Sequence, residues 1–223
     1  MLEVLDNGYR LALVAREADF QLVFEHRGDR WVHYLGAFLD MAMLPNHDPR
    51  MRFEADHARI VSSVEDDSDR APNDAVNSPT FQDLHHDKHG NAHRVFLIGQ
   101  FAHHHFSAVF DLREYPNHVE LSADITDRCR DPLECVASTY CVKTVAEPQS
   151  LEGSAFHWSV WPSVAELHLA ATPPNRLEHL QFTHIKPLAT VVSVIAPLPS
   201  VTHTHRWQYR WVWTKAAPGN EDV

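Results

Sequence analysis

Histidine offers this sequence most of its chemistry. The chain has 223 residues and 18 of them are histidine. Imidazole is the commonest metal ligand, and its ordinary pKa lies close to neutrality. Three groups stand out. Ala102 to Phe106 reads AHHHF. On a strand, where side chains alternate faces, His103 and His105 share one side while His104 joins Phe106, Phe110 and Leu112 on the other. His203-Thr204-His205 repeats the H-x-H spacing near the C-terminus. Two imidazoles set side by side in this way can hold one ion, a geometry that suits zinc, iron or copper. The expectation is a divalent transition-metal site built from His103, His105, His203 and His205. An open position would hold a water of lowered pKa, with Glu114 or Glu120 as general base. The third group is HHDKHGNAH, His85 to His93. His85, His89 and His93 recur every four residues, as on a helix face, but Gly90 and Asn91 disfavour a helix there. This group reads as a solvated loop.

Competing considerations weigh on the metal reading. Zinc-protease and zinc-ribbon spacings are missing, and the first carboxylates after His105 are Asp111 and Glu114. With histidine so frequent, chance H-x-H pairs are expected, and an imidazole sits comfortably at a half-buried strand position. The chain also lacks the patterns of a nucleophile elbow, a phosphate-binding loop and a dinucleotide fingerprint, so no catalytic residue is assigned. The leading functional expectation is therefore a ligand-binding or accessory β-domain that takes a small molecule or a protein partner. A metal-dependent enzyme or metal-binding protein is the alternative.

A second feature with binding potential is aromatic. In THTHRWQYRWVWTK, Thr202 to Lys215, the alternation puts Trp207, Tyr209, Trp211 and Trp213 on one face with the two histidines. Arg206, Gln208 and Arg210 lie on the other. The aromatic stripe reads first as a core wall, each ring able to bury ~150–250 Å². Its second reading is a platform that stacks on a flat ligand such as a sugar ring.

The elements that would position these residues are strands. Asn7-Gly8 precedes the apolar run Tyr9 to Ala15, and Arg27-Gly28-Asp29-Arg30 separates two β-rich runs as a hairpin turn. Gly36 to Leu44 breaks the alternation and reads as a short helix or buried turn ended by Pro45. Glu65 to His93 is acidic, rich in Pro, Asn and Ser, and reads as one long polar loop. Arg94–Ile98 and Phe101–Leu112 follow as strand, bent at Gly99. His118–Ile125 alternates cleanly, Val119, Leu121, Ala123 and Ile125 against Glu120, Ser122 and Asp124. Leu133–Val145 and five further runs between Ala155 and Thr214 are punctuated by proline. Many short strands without a βαβ rhythm predict an all-β chain, an antiparallel β-sandwich or open β-barrel with one long His-rich loop and little helix. A single domain would cover 1–215, with a flexible tail at 216–223.

Composition narrows the function classes. The formal charge of −11, with basic residues scattered, argues against a nucleic-acid partner. Protonating every histidine would carry it to +7, so a solubility minimum is expected near pH 6. No run is long and apolar enough to span a bilayer, and none reads as a secretion signal. Cys129, Cys135 and Cys141 fit neither a zinc pattern nor a disulfide framework; free thiols in a reducing cytoplasm are expected.

Overall fold

The computed structural model describes residues 2–37, 59–64, 75–144, 149–151, 154–161, 165–182, 188–199 and 203–215. These residues form strands and turns, with no helix among them. The strands in chain order are β1 (Glu3–Asp6), β2 (Arg10–Ala15), β3 (Phe20–Arg27), β4 (Arg30–Ala37), β5 (Arg59–Ser63), β6 (Ala75–Val76), β7 (Asp83–His89), β8 (Ala92–Phe101) and β9 (His104–Glu114). There follow β10 (His118–Arg128), β11 (Cys135–Thr144), β12 (Gln149–Leu151), β13 (Ala155–Trp161), β14 (Ala165–Ala171), β15 (Arg176–Phe182), β16 (Leu188–Ile195) and β17 (Thr204–Lys215).

Two sheets result. The first runs β1-β2-β3-β4-β5-β11-β16-β15, with β6 attached in parallel to β11. The second runs β12-β13-β14-β17-β10-β9-β8-β7 and is antiparallel throughout. Neither sheet closes on itself, so of the two expected architectures the sandwich is the one adopted.

The pairing of β10 with β17 shows how alternation builds the second sheet. Val119, Leu121, Ala123 and Ile125 stand opposite Trp213, Trp211, Tyr209 and Trp207, and all eight are buried. On the outer face Asp124 accepts hydrogen bonds from Arg206 and Gln208, and Arg210 pairs with Glu120 at 3.6 Å. The outer row is thus a ladder of opposite charges across neighbouring strands, a pairing that favours this register. Leu11–Ala15 of β2 and Phe20–Phe24 of β3 are buried on both faces, and the first of these segments reads as a continuous apolar run, as strands covered on both sides do.

The core lies between the sheets. Trp158, Trp207, Trp211, Tyr140, Tyr209, Phe20, Phe24 and Phe110 are its largest fully buried side chains. The stripe Trp207–Tyr209–Trp211–Trp213 is therefore core wall, and none of the four rings is available to stack on a ligand. Trp211 packs edge-on against Tyr140, at 5.5 Å between centroids, and tilts on Trp158 at 5.8 Å. Polar bonds cross the same interior. His33 on β4 is hydrogen-bonded to Tyr140 on β11 at 2.9 Å, and Tyr140 to Tyr209 on β17. Trp207 Nε1 donates to Ser138 Oγ at 2.9 Å. Burial pushes the Tyr209 phenol up to about 12 and the His33 imidazole down to about 3, so both are neutral near pH 7.

Two segments differ from the sequence expectation. Residues 83–93, expected within a long loop, form β7 and the start of β8 as a hairpin closed by Gly90-Asn91, with His89 opposite Ala92. Gly90 takes φ +65°, which hairpin turns with a glycine first require. β7 is an edge strand with mostly exposed side chains, so it has no apolar alternation to announce it. Residues 65–74 of the expected loop lie outside the described residues, as do 38–44 of the expected helix or turn and the tail 216–223. The bend expected at Gly99 falls instead at the β8–β9 turn, where Ala102 has φ +50°. Gly99 has another reason to be glycine: a Cβ there would lie 2.1 Å from the Thr80 carbonyl oxygen.

Candidate metal centre

β13 and β14 each contribute a histidine to one cross-strand pair. His157 is the register partner of His168. Their inward neighbours Trp158 and Leu167 are buried in the core, which turns the two imidazoles to the outer face of the second sheet. Cross-strand neighbours approach within about 5 Å at Cβ, and the rings stack at 4.4 Å with 28° between planes. Glu166 lies two residues before His168, on the same face of the strand. Its Oε2 is 3.7 Å from Nε2 of His157 and 3.7 Å from Nε2 of His168. One ligand atom from each of the three residues falls within 4.8 Å of the other two, and no other group of three or more among the described residues does so.

The spacing is too long for hydrogen bonds and suits an ion. At 3.7 Å neither histidine bonds the carboxylate directly. Zinc holds nitrogen and carboxylate oxygen at ~2.0–2.2 Å, which brings tetrahedral ligand atoms to ~3.4 Å from one another. The two histidine–carboxylate separations lie within a few tenths of an ångström of that value. His157 Nε2 is also buried without a hydrogen-bond partner. Such a nitrogen is under-satisfied as it stands, and a cation between the three groups would satisfy it. Burial and the neighbouring His157 ring lower the His168 pKa, against a smaller upward pull from Glu166. Neutral imidazole is the form that ligates. Two histidines and a glutamate are the ligand set of several catalytic zinc sites and of non-haem ferrous sites, both of which keep positions open for water or substrate.

The residues singled out by H-x-H spacing are placed otherwise. His105 is exposed on the outer face of β9, and His103 is exposed in the β8–β9 turn. His203 is exposed just before β17, whereas His205 is buried on the inner face. His105 and His205 therefore stand on opposite faces of one sheet, and the four histidines do not gather around one point. The middle residue of AHHHF hydrogen-bonds an acid. His104, buried, bonds through Nδ1 to Oδ2 of Asp127 at 2.8 Å, and Asp127 is the register partner of His205. His104, Asp127 and His205 form an interior polar cluster at one end of the sandwich, and burial lowers the His205 pKa. Glu120, a proposed general base, is engaged with Arg210. In the hairpin, His86 stacks on His93 with Nε2 3.2 Å from Nδ1. Cys129, Cys135 and Cys141 are free thiols.

No family model matches the sequence, and no curated protein matches it. Solved structures do share the fold. A heparinase III with methylated lysines superposes with a TM-score of 0.54 at 8% identity, over 99% of this chain and 36% of the other. A heparan sulfate lyase mutant from Pedobacter heparinus superposes with a TM-score of 0.51 at 6% identity, over 98% of this chain and 37% of the other. The chain thus spans little more than a third of the length of either enzyme. At such identities the likeness is one of fold.

Proposed function

We propose that this chain is a metal-binding β-sandwich that takes a divalent transition ion of the zinc or ferrous class at His157, Glu166 and His168. The observation that carries this reading is the buried, unpartnered Nε2 of His157, set 3.7 Å from a carboxylate oxygen that is equally far from a second imidazole. β13 and β14 would hold the two nitrogens in register, and Glu166, at the rim, would supply charge balance and an oxygen. Bound there with three protein ligands, the ion would offer Lewis acidity at an open position. The test is elemental analysis of protein purified without an affinity tag. About one equivalent of zinc or iron is expected, lost in His157→Ala and in His168→Ala but kept in His103→Ala and His203→Ala. Absence of metal after supplementation and dialysis, or equal loss in all four variants, removes the reading.

A second reading is favoured by the fold likeness. Nearly the whole chain superposes on about a third of two enzymes whose names place them on heparin and heparan sulfate. On this reading it is an accessory or ligand-binding β-domain that works with a carbohydrate-acting partner. A melting temperature that rises with acidic oligosaccharides and ignores neutral ones would support it; no response to either would remove it. The three free thiols support a reducing, cytoplasmic location. Among the described residues no helix is long and apolar enough to cross a membrane.

A further inference from the structure

His103 and His105, which take no part in the metal centre, line an open depression of about 690 Å³ on the second sheet. Its floor is a row across three strands. Gln100 on β8 is the register partner of His105 on β9, and His105 is the partner of Arg128 on β10. Arg130 lies two residues beyond Arg128, and Asp131 stands at the rim with its Oδ2 4.0 Å from His103 Nε2. Ala102, with φ +50°, turns the chain between β8 and β9. A non-glycine residue in that left-handed region costs about 1–2 kcal/mol, and such strain gathers at binding sites.

The charges of this depression set it apart. Every other arginine among the described residues has a carboxylate oxygen within 4.0 Å. Arg128 and Arg130 have none, although the chain carries eleven more negative charges than positive. An acidic protein that pairs its other described arginines and leaves two unpaired, side by side, has built a local positive field against its own net charge. The planar guanidinium fork matches the oxygens of an oxyanion in bidentate fashion. The imidazoles of His103 and His105 and the amide of Gln100 add donors around the same space. A volume of this size accepts a ligand of one or two sugar rings.

We propose that this depression is a binding site for a tetrahedral oxyanion, sulfate or phosphate, with Arg128 and Arg130 as its principal ligands and His103, His105 and Gln100 as supporting donors. The oxyanion is either free in solution or carried as an ester on a small polar molecule that fills the rest of the depression. The site is separate from the metal centre and does not depend on it.

The test is a titration at low ionic strength, followed by backbone amide and histidine ring resonances of the full chain. Inorganic phosphate and inorganic sulfate form one arm, and glucose 6-phosphate and glucose 6-sulfate the other. Saturable shifts centred on residues 100–105 and 128–131 are expected. Arg128→Gln and Arg130→Gln should each weaken the affinity roughly tenfold, as the loss of one charge-assisted contact does. Arg206→Gln, which removes an arginine already paired with Asp124, should leave it unchanged. Tighter binding of the esters would identify a carried oxyanion, and equal binding a free one. Shifts that grow linearly without saturating, shifts spread over the whole surface, or an affinity that survives in the Arg128→Gln/Arg130→Gln double variant would overturn the proposal.

Discussion

Acidification should destabilise this fold through His33, and the size of the effect follows from its surroundings. The imidazole is buried between Phe24, Phe110 and Tyr140, with ring centroids 5.6, 4.8 and 5.4 Å away, and its Nε2 is bonded to the Tyr140 hydroxyl. None of these contacts offers a negative charge. Burial alone pushes its pKa down to about 3, against about 6.5 in an unfolded chain. The folded pKa is depressed, so between these values the unfolded chain binds the proton and the native state does not. His33 therefore costs nothing above about pH 6.5, and stability falls as pH drops below it. At about 1.4 kcal/mol per unit, going from pH 6.5 to pH 4 removes about 3 kcal/mol, with a ceiling near 5 kcal/mol below pH 3. That is a large part of a typical 5–15 kcal/mol.

The assay is urea unfolding, followed by tryptophan fluorescence at pH 7, 5 and 4, for the native chain and for His33→Gln. Glutamine keeps an acceptor for Tyr140 but does not titrate. The variant should be the less stable at pH 7, by about 1–3 kcal/mol of lost packing, and should match or exceed the native chain at pH 4. The other histidines titrate alike in both proteins and cancel in the difference. If the two stabilities fall in parallel from pH 7 to pH 4, His33 is not the group responsible and the reasoning fails.

Three further substitutions probe the packing. Gly99→Ala drives a Cβ into the Thr80 carbonyl oxygen and the Phe81 Cα, both backbone atoms that cannot rotate aside; a loss of roughly 3 kcal/mol is expected, read as a lower urea midpoint at unchanged slope. Ser138→Ala strips Trp207 Nε1 of its acceptor inside the core, and should lower stability by about 1–3 kcal/mol in the same assay. His104→Ala removes the bonded partner of the buried Asp127 and should lower stability by about 3–5 kcal/mol. The double variant His104→Leu/Asp127→Leu should recover part of that loss, because it leaves no charge behind. No recovery would mean that His104 acts through packing alone.

The parts legible in the sequence were those where one face is core. β10 and β17 alternate cleanly because Val119 to Ile125 and Trp207 to Trp213 face the same interior. β7 was illegible because its side chains face water at the sheet edge, where nothing selects apolar residues at alternate positions. The divided fate of the H-x-H pairs could have been foreseen. His205 shares parity with the core tryptophans, while His105 has the parity opposite to Phe106. Two strand positions on opposite faces of one sheet, His105 outward and His205 inward, cannot clasp one ion. The candidate metal centre left only half a signal, Glu166-x-His168 on an alternating strand. Its other member, His157, joins through the register of β13 against β14, and register is a property of pairing that a single strand's pattern does not encode.

The hydrogen-bonded line from His33 through Tyr140 to Tyr209, with Trp207 on Ser138 beside it, bears on how the two sheets are aligned. Smooth apolar layers can slide over each other by a residue and bury nearly as much surface in the new position. Here such a slip would break the two bonds that cross between the sheets, Tyr140 to Tyr209 and Trp207 to Ser138, whose groups have no water to turn to, each at about 1–3 kcal/mol. The polar line works as a dowel between two boards: it adds little net adhesion, but it permits only one alignment.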